Sequence, residues 1–142
     1  MDYIDDSLFD IHPFTKMKTT TGTFDLEDRF VDFAVRIINV VEALPDTKAG
    51  RHVAGQLVRS GTSPAPNYGE AQSAESPNDF IHKLKVALKE LRETNIWLKI
   101  IERKPLCEPG KLTSIRKECD ELIAILVTSI RTAQRNSKRS TR

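Results

Sequence analysis

From Leu26 onward the hydrophobic positions recur at intervals of four and three. Leu26, Phe30, Phe33, Ile37, Val40 and Leu44 fall on one side of a 3.6-residue repeat, so the spacing predicts a first helix from about Asp25 to Leu44. Pro45 ends it, and a second helix starts near Asp46. Its apolar stripe is thinner, Ala49, Val53, Leu57 and Ser60, and is interrupted by Gly55 and Gly61. Small residues let another helix approach closely, although each glycine costs about 1 kcal/mol relative to alanine in a helix interior. Pro64 and Pro66 each remove a backbone donor, which predicts a kink or a break between Ser63 and Asn67, with residues 68–73 resuming as a short helical piece.

The third helix has the clearest start. Ser76 is a good N-cap, Pro77 suits the first helical position, and Asp79 sits where an acid meets the free amides of the first turn. Phe80, Leu84, Ala87, Leu91, Thr94, Leu98 and Ile101 then repeat without a slip, with Ile81, Leu88 and Trp97 widening the stripe. Such a helix must pack against others along its whole length. Pro105 stops it, and Glu108-Pro109-Gly110 is the connection. The fourth helix, from about Lys111 to Arg135, carries Leu112, Ile115, Cys119, Leu122, Leu126, Ser129 and Ala133 on one face and Ile123, Val127 and Ile130 on a second strip. That excess width predicts either a subunit interface or a helix buried more deeply than its neighbours. The pattern as a whole predicts an all-α chain of four packed helices that is oligomeric.

Composition adds limits. A chain of 142 residues with 39% hydrophobic content can bury one core but hardly two. The longest apolar runs fall short of the roughly 20 residues a bilayer requires, and the acidic start, Met1 to Asp6, does not suit a signal peptide, so a cytoplasmic location is expected. Cys107 and Cys119 are expected to be reduced packing residues. Three regions follow: an irregular N-terminal extension over 1–23, the bundle over 24–135, and a basic C-terminal tail over 136–142.

The formal charge of +2 hides a gradient, because Asp2, Asp5, Asp6 and Asp10 open the chain whereas Arg131, Arg135, Lys138, Arg139 and Arg142 close it. The basic end reads either as a phosphate-contacting arm or as a solvated helix end favoured by the macrodipole. On the third helix Lys85, Lys89, Arg92, Lys99 and Arg103 are spaced 4, 3, 7 and 4, which aligns them on one face interrupted at Ile96. This stripe suits RNA or DNA backbone contact, with Arg131 and Arg135 as further candidates; alternatively it is a solvated face partnered by Glu90, Glu93 and Glu102. Trp97 sits at a core-facing position, so no base-stacking platform is expected.

Catalytic chemistry is sparse. His12, His52 and His82 have no metal-ligand spacing with one another or with a cysteine, and no phosphate-binding loop is present, so neither a metal nor a cofactor is expected. There is no Arg-x4-6-His pattern of the kind found in helical-bundle ribonucleases. His82 reads as a partly buried packing histidine rather than a base. Arg59, Asn67, Glu70, Glu90 and Glu93 are expected to form a structural polar network fixing helix register, in which Glu90 or Glu93 offsets Arg59, while Asn67 and Glu70 alternatively cap the broken end of the second helix. No enzymatic activity is expected.

The combination of Leu44-Pro45, Gln56-Leu-Val-Arg-Ser60, Thr62-Ser63, Asn67-Tyr-Gly-Glu-Ala-Gln72, residues 76–80, Ala87-Leu-Lys-Glu90, Arg92-Glu-Thr94 and Trp97-Leu98 resembles the four helix bundle protein family. That family includes the bacterial 23S rRNA intervening-sequence proteins and, more distantly, the accessory protein of diversity-generating retroelements. The resemblance spans roughly residues 25–133, and Pro64 and Pro66 depart from it. It implies an all-α, up-and-down antiparallel four-helix bundle assembled into a ring-like homopentamer, without catalytic activity. Two functional classes follow: a nucleic-acid-associated accessory protein, most readily with RNA, or a scaffold for a protein partner with no nucleic-acid role.

Overall fold

The computed structural model describes residues 18–19, 22–23 and 25–140. The irregular extension expected over 1–23 therefore lies outside the described residues, except that Lys18–Thr19 (β1) pairs antiparallel with Gly22–Thr23 (β2). From Leu26 to Ser140 the regular elements are all helices: α1 Leu26–Glu42, α2 Lys48–Thr62, α3 Pro64–Gln72, α4 Pro77–Arg103 and α5 Thr113–Ser140. Three helices start on side-chain caps that satisfy first-turn amides. Asp25, Thr47 and Ser76 accept from the backbone N–H of Asp28, Gly50 and Asp79 respectively.

α2 and α3 act as one interrupted helix, so the five segments make a four-helix bundle. Ser63 between them keeps helical backbone angles (φ −63°, ψ −36°), and its N–H still reaches the Arg59 carbonyl. Pro64 and Pro66 cannot donate, which leaves carbonyls of the preceding turn without their usual partners. Here Asn67 Nδ2 donates to the Ser63 carbonyl at 3.0 Å and to Ser63 Oγ at 2.9 Å, bracing the junction from its C-terminal side. Around the bundle α1 packs on α2 and α3, these pack on α4, α4 packs on α5, and α5 returns to α1, leaving α1 and α4 diagonal.

The core is the set of stripes read from the sequence. All seven residues of the main stripe on α4 are buried, as are Leu112, Ile115, Cys119, Leu122, Leu126 and Ser129. Two positions differ. Ala49 is exposed, and Gly50 takes the inward place because α2 starts tight against the Pro45 carbonyl, where a Cβ would collide. The second strip on α5 is not a free face: Ile130 is buried and Ile123 packs against the core. α5 also continues five residues past the expected Arg135. No helix among the described residues is long and apolar enough to cross a membrane.

Candidate nucleic-acid interface

Lys85, Lys89, Arg92 and Arg103 are exposed on the outer face of α4, and Lys99 is half-buried beside them. The sequence offered Glu90, Glu93 and Glu102 as their partners, and the structure sends all three acids elsewhere. Arg59 of α2 donates to Glu90 at 3.0 Å and to Glu93 at 2.6 Å, while Arg116 of α5 donates to Glu102 at 2.8 Å. At 100° per residue the acids lie on the flanks of α4, toward its neighbours, and the cations lie on its solvent side. None of the five cations forms an ion pair among the described residues.

Arg131 and Arg135 are exposed on α5, the latter donating to Thr132 Oγ1 at 3.2 Å. The antiparallel register of α4 and α5 is fixed by Asn95 with Asp120 and by Glu102 with Arg116. Extending it carries Arg131 and Arg135 to the level of the start of α4. They therefore share an end of the bundle with Lys85 and Lys89.

The expected polar network divides into three. Arg59, Glu90 and Glu93 form a clamp between α2 and α4; the hydrogen bond from Arg59, aided by its charge, holds the Glu93 carboxyl below its ordinary pKa against an opposing effect of burial. Asn67 serves the α2–α3 junction. Glu70 joins neither and instead pairs with Lys83 at 2.8 Å, tying α3 to α4. Arg59 itself is exposed, so its clamp is a surface one. Beneath it Thr94 Oγ1 donates to the buried Ser60 Oγ at 3.0 Å, where small residues bring α2 and α4 together.

His82 is exposed on α4 and does not pack inward, a correction to the sequence reading. His52 is also exposed and meets the Trp97 ring edge-on at 5.9 Å; His12 lies outside the described residues. Trp97 packs against the core. An open cavity of about 590 Å³ at the α4–α5 turn is lined by Cys107, Arg116 and Lys117 together with Glu102, Glu108 and Asp120. Its lining contains no histidine, and burial raises the Cys107 thiol, keeping it protonated and weakly nucleophilic. Burial likewise pushes Cys119 up to about 12. Among the described residues no group of His, Cys, Asp and Glu is gathered to hold a metal.

What the sequence reading missed is the opposite side of the bundle. α1 turns its own cations toward α5: Arg29 pairs with Glu118 and, at 3.1 Å, with Glu121, and Arg36 donates to Ser114 Oγ at 2.9 Å. Its solvent face keeps Val31, Val35 and Ile38 among Glu27, Asp32 and Glu42. The intervals of four and three from Val31 to Ile38 were a usable signal, overshadowed by the stronger core stripe of the same helix.

No curated protein shows a significant match to the chain. A solved structure from Bacteroides thetaiotaomicron VPI-5482, described as a protein of unknown function from the S23 ribosomal protein family, is 36% identical to it. That likeness covers 73% of this chain and 96% of the other, with a TM-score of 0.69. The family model for the 23S rRNA-intervening sequence protein matches residues 24–128, from the first cap through most of α5, and the chain belongs to that family.

Proposed function

We propose that this chain is a non-enzymatic, self-associating helical bundle that binds RNA through phosphate contacts along the N-terminal half of α4 and the adjoining end of α5. The observation that carries this reading is the row of cations without ionic partners among the described residues. Every acid of α4's central and C-terminal turns is engaged by Arg59 or Arg116, so Lys85, Lys89 and Arg92 keep their full charge for an external anion. Successive members rise by about 6 and 4.5 Å along the helix, within reach of neighbouring phosphates on a strand. The family description, which ties its members to an intervening sequence of 23S rRNA, agrees with RNA as the polyanion. With Trp97 packed against the core, contact is to the backbone rather than to stacked bases.

Replacement of Lys85, Lys89 and Arg92 by glutamine tests the reading. Helicity and assembled mass stay unchanged, RNA affinity falls, and the slope of log affinity against log salt shrinks by roughly 0.7 for each lost contact to single-stranded RNA. If the unaltered protein retains no RNA even at low salt, the RNA reading fails and the scaffold for a protein partner replaces it. Self-association, which the family resemblance implies as a homopentamer, is checked separately by light scattering; a monomer at micromolar concentration overturns that part.

A further inference from the structure

The two diagonal helices present complementary solvent faces. On α1, Val31 (46% exposed), Val35 (51%) and Ile38 (38%) lie among Glu27, Asp32 and Glu42, and both cations of the helix are turned away to α5. On the C-terminal half of α4, Ile96 (53%) and Ile100 (39%) lie beside Lys99 and Arg103, and the acids are turned away to α2 and α5. Each face has an apolar centre, and the charges around the two centres are of opposite sign. A helix face that only meets water tolerates mixed charges, and neither of these faces is mixed.

The faces also stand at the same height. Arg29 of α1 and Asn95 of α4 both reach residues 118–121 of α5, while Arg36 of α1 and Glu102 of α4 reach Ser114 and Arg116 one turn further along the same axis. Residues 29–36 of α1 are therefore level with residues 95–102 of α4. The valine patch and the isoleucine patch face outward at matching levels on opposite sides of the molecule.

We infer that copies of this chain associate head to tail, with the acidic Val31–Val35–Ile38 face of α1 seated on the basic Ile96–Ile100 face of α4 of the next copy. The contact buries aliphatic side chains at its centre and ranges carboxylates against cations at its rim, the arrangement that gives an interface both affinity and register. It is heterologous, because one patch meets a different patch. With the patches offset along the axis by less than one helical turn, about 4 Å, each added copy stands beside the last rather than above it, a geometry compatible with closure into a ring. Lys85 and Lys89 lie about 10 Å or more along the helix from Ile96 and remain outside the contact. The inference rests on the self-association within the proposed function and specifies the surfaces that meet.

Val35→Arg and Ile96→Glu each place a charge opposite like charges on the partner, at exposed positions where folding is unaffected. Each variant alone runs as a helical monomer by light scattering and circular dichroism. Mixed in equal amounts they associate again, at least to a one-to-one heterodimer, because the intact α4 face of Val35→Arg accepts the intact α1 face of Ile96→Glu. If both variants keep the mass of the unaltered assembly, the assigned faces are wrong while self-association stands. If only one variant dissociates, or the mixture forms no dimer, the head-to-tail pairing is overturned. A monomeric unaltered protein overturns the inference together with the self-association on which it rests.

Discussion

Gly61 and Gly55 occupy the same helix with opposite consequences. A Cβ on Gly61 would stand 2.6 Å from Ile37 Cγ2 and 2.8 Å from Cγ1, so the missing side chain is what allows α1 and α2 to approach. Gly61→Ala is expected to destabilise the bundle by about 1–3 kcal/mol through overpacking, read as a lower urea midpoint with an unchanged slope. A Cβ on Gly55 meets nothing within 4 Å among the described residues, so Gly55→Ala relieves only backbone entropy and raises stability by about 0.5–1 kcal/mol in the same measurement. Leu126, with no exposed surface, is the contrasting core position, and Leu126→Asp places an unpaired charge there at a cost of several kcal/mol, enough to abolish cooperative unfolding. At this scale the sequence was legible where a side chain is large and apolar. It was misread at Ala49 and Gly50, because counting hydrophobicity favours the alanine while the tight entry from Pro45 puts the glycine inside.

Individual helices were legible because their determinants are local. Ser76, Pro77 and Asp79 fixed the start of α4 within a turn, and seven stripe positions fixed its buried face. The α2–α3 junction was half legible: the prolines announced a disturbance, but that Ser63 stays helical depends on Asn67 bracing it across one turn. Asn67→Ala is therefore expected to cost about 0.5–1.5 kcal/mol and to speed amide exchange in α3 more than in α4. Between elements, the Arg59 clamp is sensitive to pH. Because Glu93 titrates lower in the folded chain than in the unfolded one, its contribution is complete above the ordinary carboxylate range and is lost as pH falls through the depressed folded value. Comparing melting temperatures of the unaltered chain and Glu93→Gln across pH, the gap present at neutral pH closes on acidification; a gap that is independent of pH would show that the substitution acts through packing instead.

For the whole molecule, the cation stripe could be read from spacing but its meaning could not. Whether Lys85, Lys89 and Arg92 are neutralised depends on where Glu90 and Glu93 reach, and that is decided by Arg59, more than thirty residues earlier in the chain. The acidic α1 face was hidden for the same reason, since Arg29 and Arg36 look available in sequence and are turned to α5 only by the folded arrangement. The resulting division of surfaces predicts a difference in salt response. RNA held by phosphate contacts releases counterion-driven affinity steeply as salt rises, whereas an interface with aliphatic residues at its centre loses only its screened rim charges. Raising salt from about 50 to about 500 mM is thus expected to strip RNA from the protein while light scattering still reports the assembled mass. If the assembly instead falls apart over the same interval in which RNA is released, charge pairs rather than Val31, Val35, Ile38, Ile96 and Ile100 hold the copies together, and the two surfaces are not functionally separate.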